Sequence, residues 1–275
     1  MLRKLSSGEK KAAEADGAEM GFLEHLEELR WHIVKSIIAI LVFAIIAFVF
    51  EGWVFENIIF AHKKEDFLTY RIFQKIGMGF SPADFKIITT ILSEQFFTSL
   101  KVSFYLGVIV SFPYVFYQFW TFVKPGLYEN EQKATKGVVF TCSILFLLGV
   151  AFGFIILAPF AIRFLGGYSV GLEVQNTVTI SSYVGYLSML TIPTGLIFQL
   201  PLLVYFLAKI GLVTPKVMRT YRKHAIVVIL ILSAIITPPD PPTMFLISIP
   251  IFMLYEISIF IVARTAKKLE EEMNS

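Results

Sequence analysis

Long apolar stretches separated by shorter polar ones run through almost the whole chain. Six can be drawn, near Ile33–Phe50, Phe96–Phe122, Val138–Phe160, Tyr183–Ala208, Ala225–Ile236 and Thr243–Ala263. A hydrocarbon core of about 30 Å needs roughly 20 helical residues, and the first four runs supply them. The fifth rises only about 18 Å over roughly 12 residues, so it must thin the bilayer locally or lean on protein. Membrane segments flank it on both sides, and we keep it as a span. Between the fifth and sixth runs, Thr237-Pro238-Pro239-Asp240-Pro241-Pro242 fixes an extended turn that no helix can cross, so these spans form a tight hairpin. The pattern predicts an all-α membrane protein with six transmembrane helices, the last two spans short. Residues 1–20 would be a mobile N-terminal tail, 21–265 the six-helix domain and 266–275 a C-terminal tail.

The stretch from Glu51 to Gln95 mixes Ile58, Ile59, Phe60, Phe67, Ile72 and Phe73 with charges. That mixture predicts short amphipathic helices packed over one face of the bundle. A second long connection, Arg163 to Ser182, holds Gly166, Gly167, Gly171 and a polar run. No internal repeat of the kind that builds many secondary transporters is visible.

Composition fixes the class, and charge fixes the orientation. Hydrophobic residues make up 56% and charged ones 16%, with a mean hydropathy of +0.71, the profile of an integral membrane protein. Most of the 24 Lys and Arg residues fall in the N-terminal part, the second and fourth loops and the C-terminal end. The positive-inside rule then puts both termini in the cytoplasm, since the basic first loop is long enough to translocate regardless of its charge. Glu9, Glu14, Asp16 and Glu19 with no apolar h-region argue against a cleavable leader.

Against this background one segment stands out. Leu23-Glu24-His25-Leu26-Glu27-Glu28-Leu29-Arg30 places carboxylates at a cytoplasmic membrane boundary, where cations are the rule. A basic peptide presenting arginines is their natural ligand, because a guanidinium pairs with a carboxylate through a bidentate fork. Phe22, Leu26, Leu29 and Ile33 recur at helical spacing as an apolar stripe, with His25, Glu28 and His32 along one edge and Arg30 flanking the other. With the apolar stripe as the packing face, Glu28 is the carboxylate held closest to whatever that stripe packs against. The bland alternative is a solvated face on which Glu27 pairs with Arg30; a metal held by His25, Glu28 and His32 would lack a ligand from another segment.

The second loop carries another acidic pair, in Phe122-Val123-Lys124-Pro125-Gly126-Leu127-Tyr128-Glu129-Asn130-Glu131. Pro125-Gly126 breaks the helix as it leaves the membrane, and the aromatic residues mark the interface. Glu131 could favour the dipole of the next helix or, with Glu28 in the same compartment, complete a site for a basic peptide. Within the apolar runs, Gln199 between Pro193 and Pro201, and Glu256 after Pro250, are polar positions that need an account; Asp240 caps the hairpin. Gln199 reads equally as interhelical glue or as a contact for a partner. Cys142, the single cysteine, reads as a small apolar filler. Nucleotide-binding, zinc-protease and serine-hydrolase signatures are absent from the sequence, so no enzymatic activity, metal, cofactor or nucleic-acid partner is expected.

Taken together, Phe22-Leu-Glu-His-Leu-Glu-Glu-Leu-Arg30, Pro113 with Tyr117-Gln118, Pro125-Gly-Leu-Tyr-x-x-Glu131 and Thr237-Pro-Pro-Asp240 resemble the TatC family, the polytopic receptor subunit of the twin-arginine protein translocase. The resemblance spans about residues 20–265. It implies a bacterial-type cytoplasmic (inner) membrane protein that binds the Arg-Arg signal peptide of folded cargo. It further implies recruitment of single-span TatA and TatB type subunits, self-association within a receptor complex, and export driven by the proton-motive force. Glu28 and Glu131 correspond to the family's arginine-contacting carboxylates, with Arg30, Phe122, Pro125 and Tyr128 shaping the site. Pro113 and Asp240 would be structural. Gln199 stands where many relatives carry Glu and would meet the partner helix, although Gln cannot carry a proton. The alternative is a secondary transporter or channel using Gln199, Glu256 and Asp240, which would have no need of the cytoplasmic carboxylates.

Overall fold

The computed structural model describes residues 22–77, 79–124, 137–169, 171, 176–236 and 241–273. The charged segment and the first apolar run form one continuous helix, α1 (Phe22–Val49). It packs along α4 (Glu94–Val123), which passes through Pro113 without a break. The side of α1 turned to α4 is its small and polar one. His32, Ser36, Ala44 and Ala47 are partly covered, whereas Ile33, Ile37, Leu41, Ile45 and Val49 are exposed. In lipid there is no hydrophobic gain from hiding large apolar side chains inside the protein, so close backbone approach and hydrogen bonds decide which face packs. At Gly107 of α4 an added Cβ would lie 2.7 Å from the Ile40 carbonyl oxygen and 2.9 Å from Ala44 Cβ. Leu26 and Ile33 of the apolar stripe therefore line the outside, and the edge carrying Glu28 and His32 faces the neighbour.

The third apolar run becomes α5, a 30-residue helix (Val138–Gly167) interrupted by a π-helical turn at Gly153–Leu157. The fourth is split into α6 (Ile180–Ile197) and α7 (Leu200–Lys209). Pro201 lacks the N–H that would close the ladder across the join, which is where the chain breaks. Ser188, Thr191 and Thr194 of α6 each donate a hydroxyl to the carbonyl four residues back, so these membrane-depth polar groups are satisfied within their own helix.

The connection after α1 forms a cap over one end of the bundle, built of α2 (Glu51–Asn57), a 3-10 turn at Ile59–Lys63 and α3 (Leu68–Lys75). Short helices at this place agree with the sequence pattern. A two-stranded parallel sheet was not expected: β1 (Lys86–Ile88) pairs with β2 (Thr177–Thr179), Lys86 opposite Thr177. It ties the first and second long connections together. Glu94, at the start of α4, reinforces the tie by accepting from the Thr90 and Ser181 backbone N–H groups at 2.7 and 3.2 Å.

Beneath the cap, the irregular turn of α5 provides the docking points. Pro159 has no N–H for the Ile155 carbonyl, and a π turn loosens the bonding around it. The Ile155 carbonyl instead accepts from the Thr69 hydroxyl, and the Phe154 carbonyl accepts from His62 Nε2 at 2.8 Å. His62 is buried, its ring 4.5 Å from Phe67 and 4.4 Å from Phe154. Burial pulls it from the ordinary imidazole value of 6.5 down to about 4. An unfolded chain takes up this proton near 6.5 and the folded one only near 4, so the folded state loses stability as pH falls through that window and keeps it above. The gap is worth roughly 3 kcal/mol. Thermal melts from about pH 7 to about pH 4 should show this loss, and His62→Gln, which keeps a donor for Phe154, should show much less of it. Identical pH slopes for both proteins would clear His62 as the source.

At the opposite end, α8 (Pro215–Thr220) leads into α9 (Arg222–Ile236), followed by α10 (Pro241–Met273). Among the described residues, five helical stretches are long and apolar enough to cross a membrane: the first four runs and α10. The expectation of two short final spans needs correcting. The 15 residues of α9 are short, but α10 runs for 33. The sequence reading stopped where Arg264 and Lys267 begin, yet the helix continues as a charged one, with Lys267 and Glu271 paired at i,i+4 over 3.8 Å.

Candidate functional site

Where α1 meets the last turns of α4, away from the cap, three polar side chains converge. His32 Nδ1 lies 2.6 Å from Gln118 Oε1. With the amide oxygen as acceptor, Nδ1 carries the proton and Nε2 is the ring's open nitrogen. That Nε2 is 3.8 Å from Glu28 Oε1, one helical turn earlier. Phe122 approaches the imidazole at 6.3 Å with its ring at 61°. The other Glu28 oxygen, Oε2, is buried and has no hydrogen-bond partner among the described residues. A carboxylate oxygen in that condition is costly unless something donates to it.

The chemistry of this corner is one-sided. In the tautomer set by Gln118, Glu28 Oε1, Glu28 Oε2 and His32 Nε2 are all acceptors, and guanidinium is the side-chain group that offers donors only, in a planar fork. Gln118 reaches across from α4 and is buried at the contact, with 6% of its surface exposed. From sequence, His32 is marked only as a metal-ligand candidate and Gln118 only as part of the family motif. The available signal was the lone amide near the end of an apolar run.

The other predicted residues divide clearly. Arg30 turns away from Glu28: its Nη2 is 3.1 Å from Glu27, both well exposed, and its guanidinium lies 5.7 Å from the Trp31 ring. The Glu27–Arg30 pairing expected at i,i+3 is present, and it removes Glu27 from the site. Phe122 is at the site; Pro125, Tyr128, Glu131 and Asp240 lie outside the described residues. Pro113 is part of α4, and the side chain of His25 is likewise not described.

Gln199 stands at the break between α6 and α7 and links to α5. Its Nε2 donates to the Cys142 carbonyl at 3.1 Å, and Cys142 Sγ donates to its Oε1 at 2.8 Å. Cys142 is thus a hydrogen-bonding partner as well as a filler. Gln199 also borders an apolar groove of about 580 Å³ between α4 and α7, walled by Phe112, Phe116, Trp120, Leu203 and Phe206. Glu256 is bound elsewhere, to Arg222 Nη2 at 2.8 Å, joining α10 to the start of α9. Of the three residues that a transport path would use, Gln199 and Glu256 are each committed to a separate helix pair, and Asp240 lies outside the described residues.

Both the sequence and the fold have known relatives. Residues 24–250 match the family described as Sec-independent protein translocase protein (TatC). The chain is 37% identical to the Sec-independent protein translocase protein TatC of Blattabacterium sp. subsp. Periplaneta americana, over 91% of this chain and 97% of that protein. It is 32% identical to TatCy of Bacillus subtilis, over 92% of each. A crystal structure of the twin arginine translocase receptor TatC superposes with a TM-score of 0.68 at 34% identity, covering 87% of this chain and 98% of that one.

Proposed function

The chain belongs to the TatC family, as the receptor subunit of the twin-arginine translocase in the bacterial cytoplasmic membrane, and on that premise we propose that Glu28 is one half of the grip on a signal peptide's paired arginines. It is a transport component and not an enzyme, and its partners are signal peptides and other Tat subunits. The observation that carries the site reading is the buried Oε2 of Glu28, without a partner among the described residues, beside an imidazole whose far nitrogen is occupied by Gln118. Glu131 supplies the second carboxylate, with Phe122, Pro125 and Tyr128 walling the peptide and Arg30 holding Glu27 out of the way. Guanidinium fits where ammonium does not, because a point charge cannot bridge Glu28 and His32 in one plane.

In this reading the cap lies outside the cell, the termini and the Glu28 corner face the cytoplasm, and α9 with α10 makes the fifth and sixth crossings. TatA and TatB type single-span subunits lie in the groove beside Gln199, whose amide retains a second N–H beyond the one given to Cys142. Because Gln does not titrate, the proton-motive force acts on this subunit through other groups. Self-association of receptor subunits completes the assembly.

A pull-down with an Arg-Arg signal peptide against its Lys-Lys counterpart tests the proposal. Arg-Arg should be recovered in clear excess. Equal recovery of the two peptides would refute the fork-recognition site.

A further inference from the structure

At the end of the bundle opposite the cap, α8 and the last third of α10 enclose a second concavity, unrelated to the Glu28 corner. It measures about 570 Å³ and is lined by Lys216, Arg219 and Thr220 of α8 and by Ala263, Ala266 and Lys267 of α10. That volume lies within the roughly 300–1,000 Å³ typical of ligand sites. Among the described residues lining it, none is acidic. Lys267 has its carboxylate, Glu271, at 3.8 Å, with both side chains mostly exposed; such a pair is too weak to occupy the cation.

The placement of the cations is built into the fold. Met218, in the middle of α8, is buried with Ala208, Ile259 and Val262, and its carbonyl accepts from the Tyr255 hydroxyl of α10 at 2.8 Å. Thr214 caps α8 by accepting from the Val217 N–H at 3.3 Å. These contacts hold α8 against α10, so Lys216 and Arg219 face Lys267 across a floor of alanines. Below the concavity, α10 continues with Phe260 and Met253, one turn and then three turns back from Ala263 on the same side, 57% and 59% exposed. The result is a cationic bowl above exposed apolar side chains of a membrane helix, with Glu256 beside them held by Arg222.

We propose that this bowl binds the phosphate of an anionic glycerophospholipid, with Lys216, Arg219 and Lys267 around the headgroup and an acyl chain along Met253 and Phe260. Inorganic phosphate shares the headgroup chemistry, but it has no use for the apolar side chains. A basic pocket between helices at the cytoplasmic side is a recognised form of headgroup site, and each cation near the surface strengthens it. This inference is independent of the peptide site; it needs only that this end of the bundle reaches a headgroup layer.

The test uses the purified full-length protein, delipidated in nonionic detergent, titrated with phosphatidylglycerol, with phosphatidylcholine and with inorganic phosphate. Native mass spectrometry reads the stoichiometry. One phosphatidylglycerol should be retained per chain, and K216Q/R219Q/K267Q should weaken it at least about tenfold. The triple variant K35Q/K124Q/K223Q, which removes as many cations elsewhere on the same side, should bind like the parent. K216R/R219K/K267R, which keeps the charges, should also bind, showing that loss in the neutral variant is not misfolding. Equal weakening in both neutral triples would mean diffuse charge and would overturn the site. So would equal retention of phosphatidylcholine, or inorganic phosphate binding as tightly as the lipid.

Discussion

Glu28→Ala should weaken binding of an Arg-Arg signal peptide roughly ten- to hundredfold, the equivalent of one or two charge-assisted hydrogen bonds at a partly desolvated surface. The loss should appear equally in Glu28→Gln, which preserves size and removes only the charge. Glu27→Gln serves as the internal comparison: its carboxylate is exposed and already paired with Arg30, and its removal should leave affinity unchanged. Gln118→Leu should fall between the two, because it releases the His32 ring that shapes the acceptor cluster without touching the carboxylate. Folding is not at stake, since α1 is held to α4 by the close approach at Gly107 and not by Glu28. Titration of a fluorescent signal peptide against the four proteins decides the matter. If Glu27→Gln costs as much as Glu28→Gln, the acidic segment acts as a general patch and the assigned grip is wrong.

The singling out of Glu28 was legible from sequence, but for an incomplete reason. Helical spacing puts Glu28 and His32 on one edge of α1 and presents the apolar stripe beside them as the packing face. In lipid the apolar side is the solvent-facing side, so Ile33, Ile37 and Leu41 point outward and the polar edge turns in. Hydropathy alone identifies which segments enter a bilayer; it does not say which face meets protein, because that choice depends on small residues and interhelical hydrogen bonds. The same limit hid Gln118, whose role depends on a partner 86 positions away. It also hid the docking of the cap, since Thr69 and His62 use carbonyls exposed by the π turn and Pro159. The fourth run, drawn as one span, is divided between Ile197 and Leu200 by a local backbone effect, since Pro201 has no N–H to close the ladder there, while Pro193 stays inside its helix. The end of α10 was missed because charge was read as the end of the helix as well as of the membrane.

The second large effect is expected from Gly149→Leu. An added Cβ at Gly149 of α5 would lie 2.8 Å from Gly195 Cα and 2.8 Å from Phe198 Cβ of the neighbouring segment. The first of these is backbone and cannot rotate away, so the helices must separate. Overpacking of an interior costs roughly 1–3 kcal/mol even where side chains can adjust, and here the contact excludes adjustment on one side. A fall in melting temperature on the order of 5–10 °C in detergent is expected. Gly185→Leu provides the comparison, since it introduces the same residue into α6 at a position with nothing within 4 Å, and should melt like the parent. The consequence reaches the partner groove: the two hydrogen bonds between Gln199 and Cys142 bridge the same pair of segments, and separating the helices lengthens both. Gly149→Leu should therefore also lower the yield of co-purified single-span subunits, while signal-peptide affinity at the distant Glu28 corner stays near the parent value. A variant that melts at the parental temperature would show that the α5–α6 approach is not the closely packed seam described here.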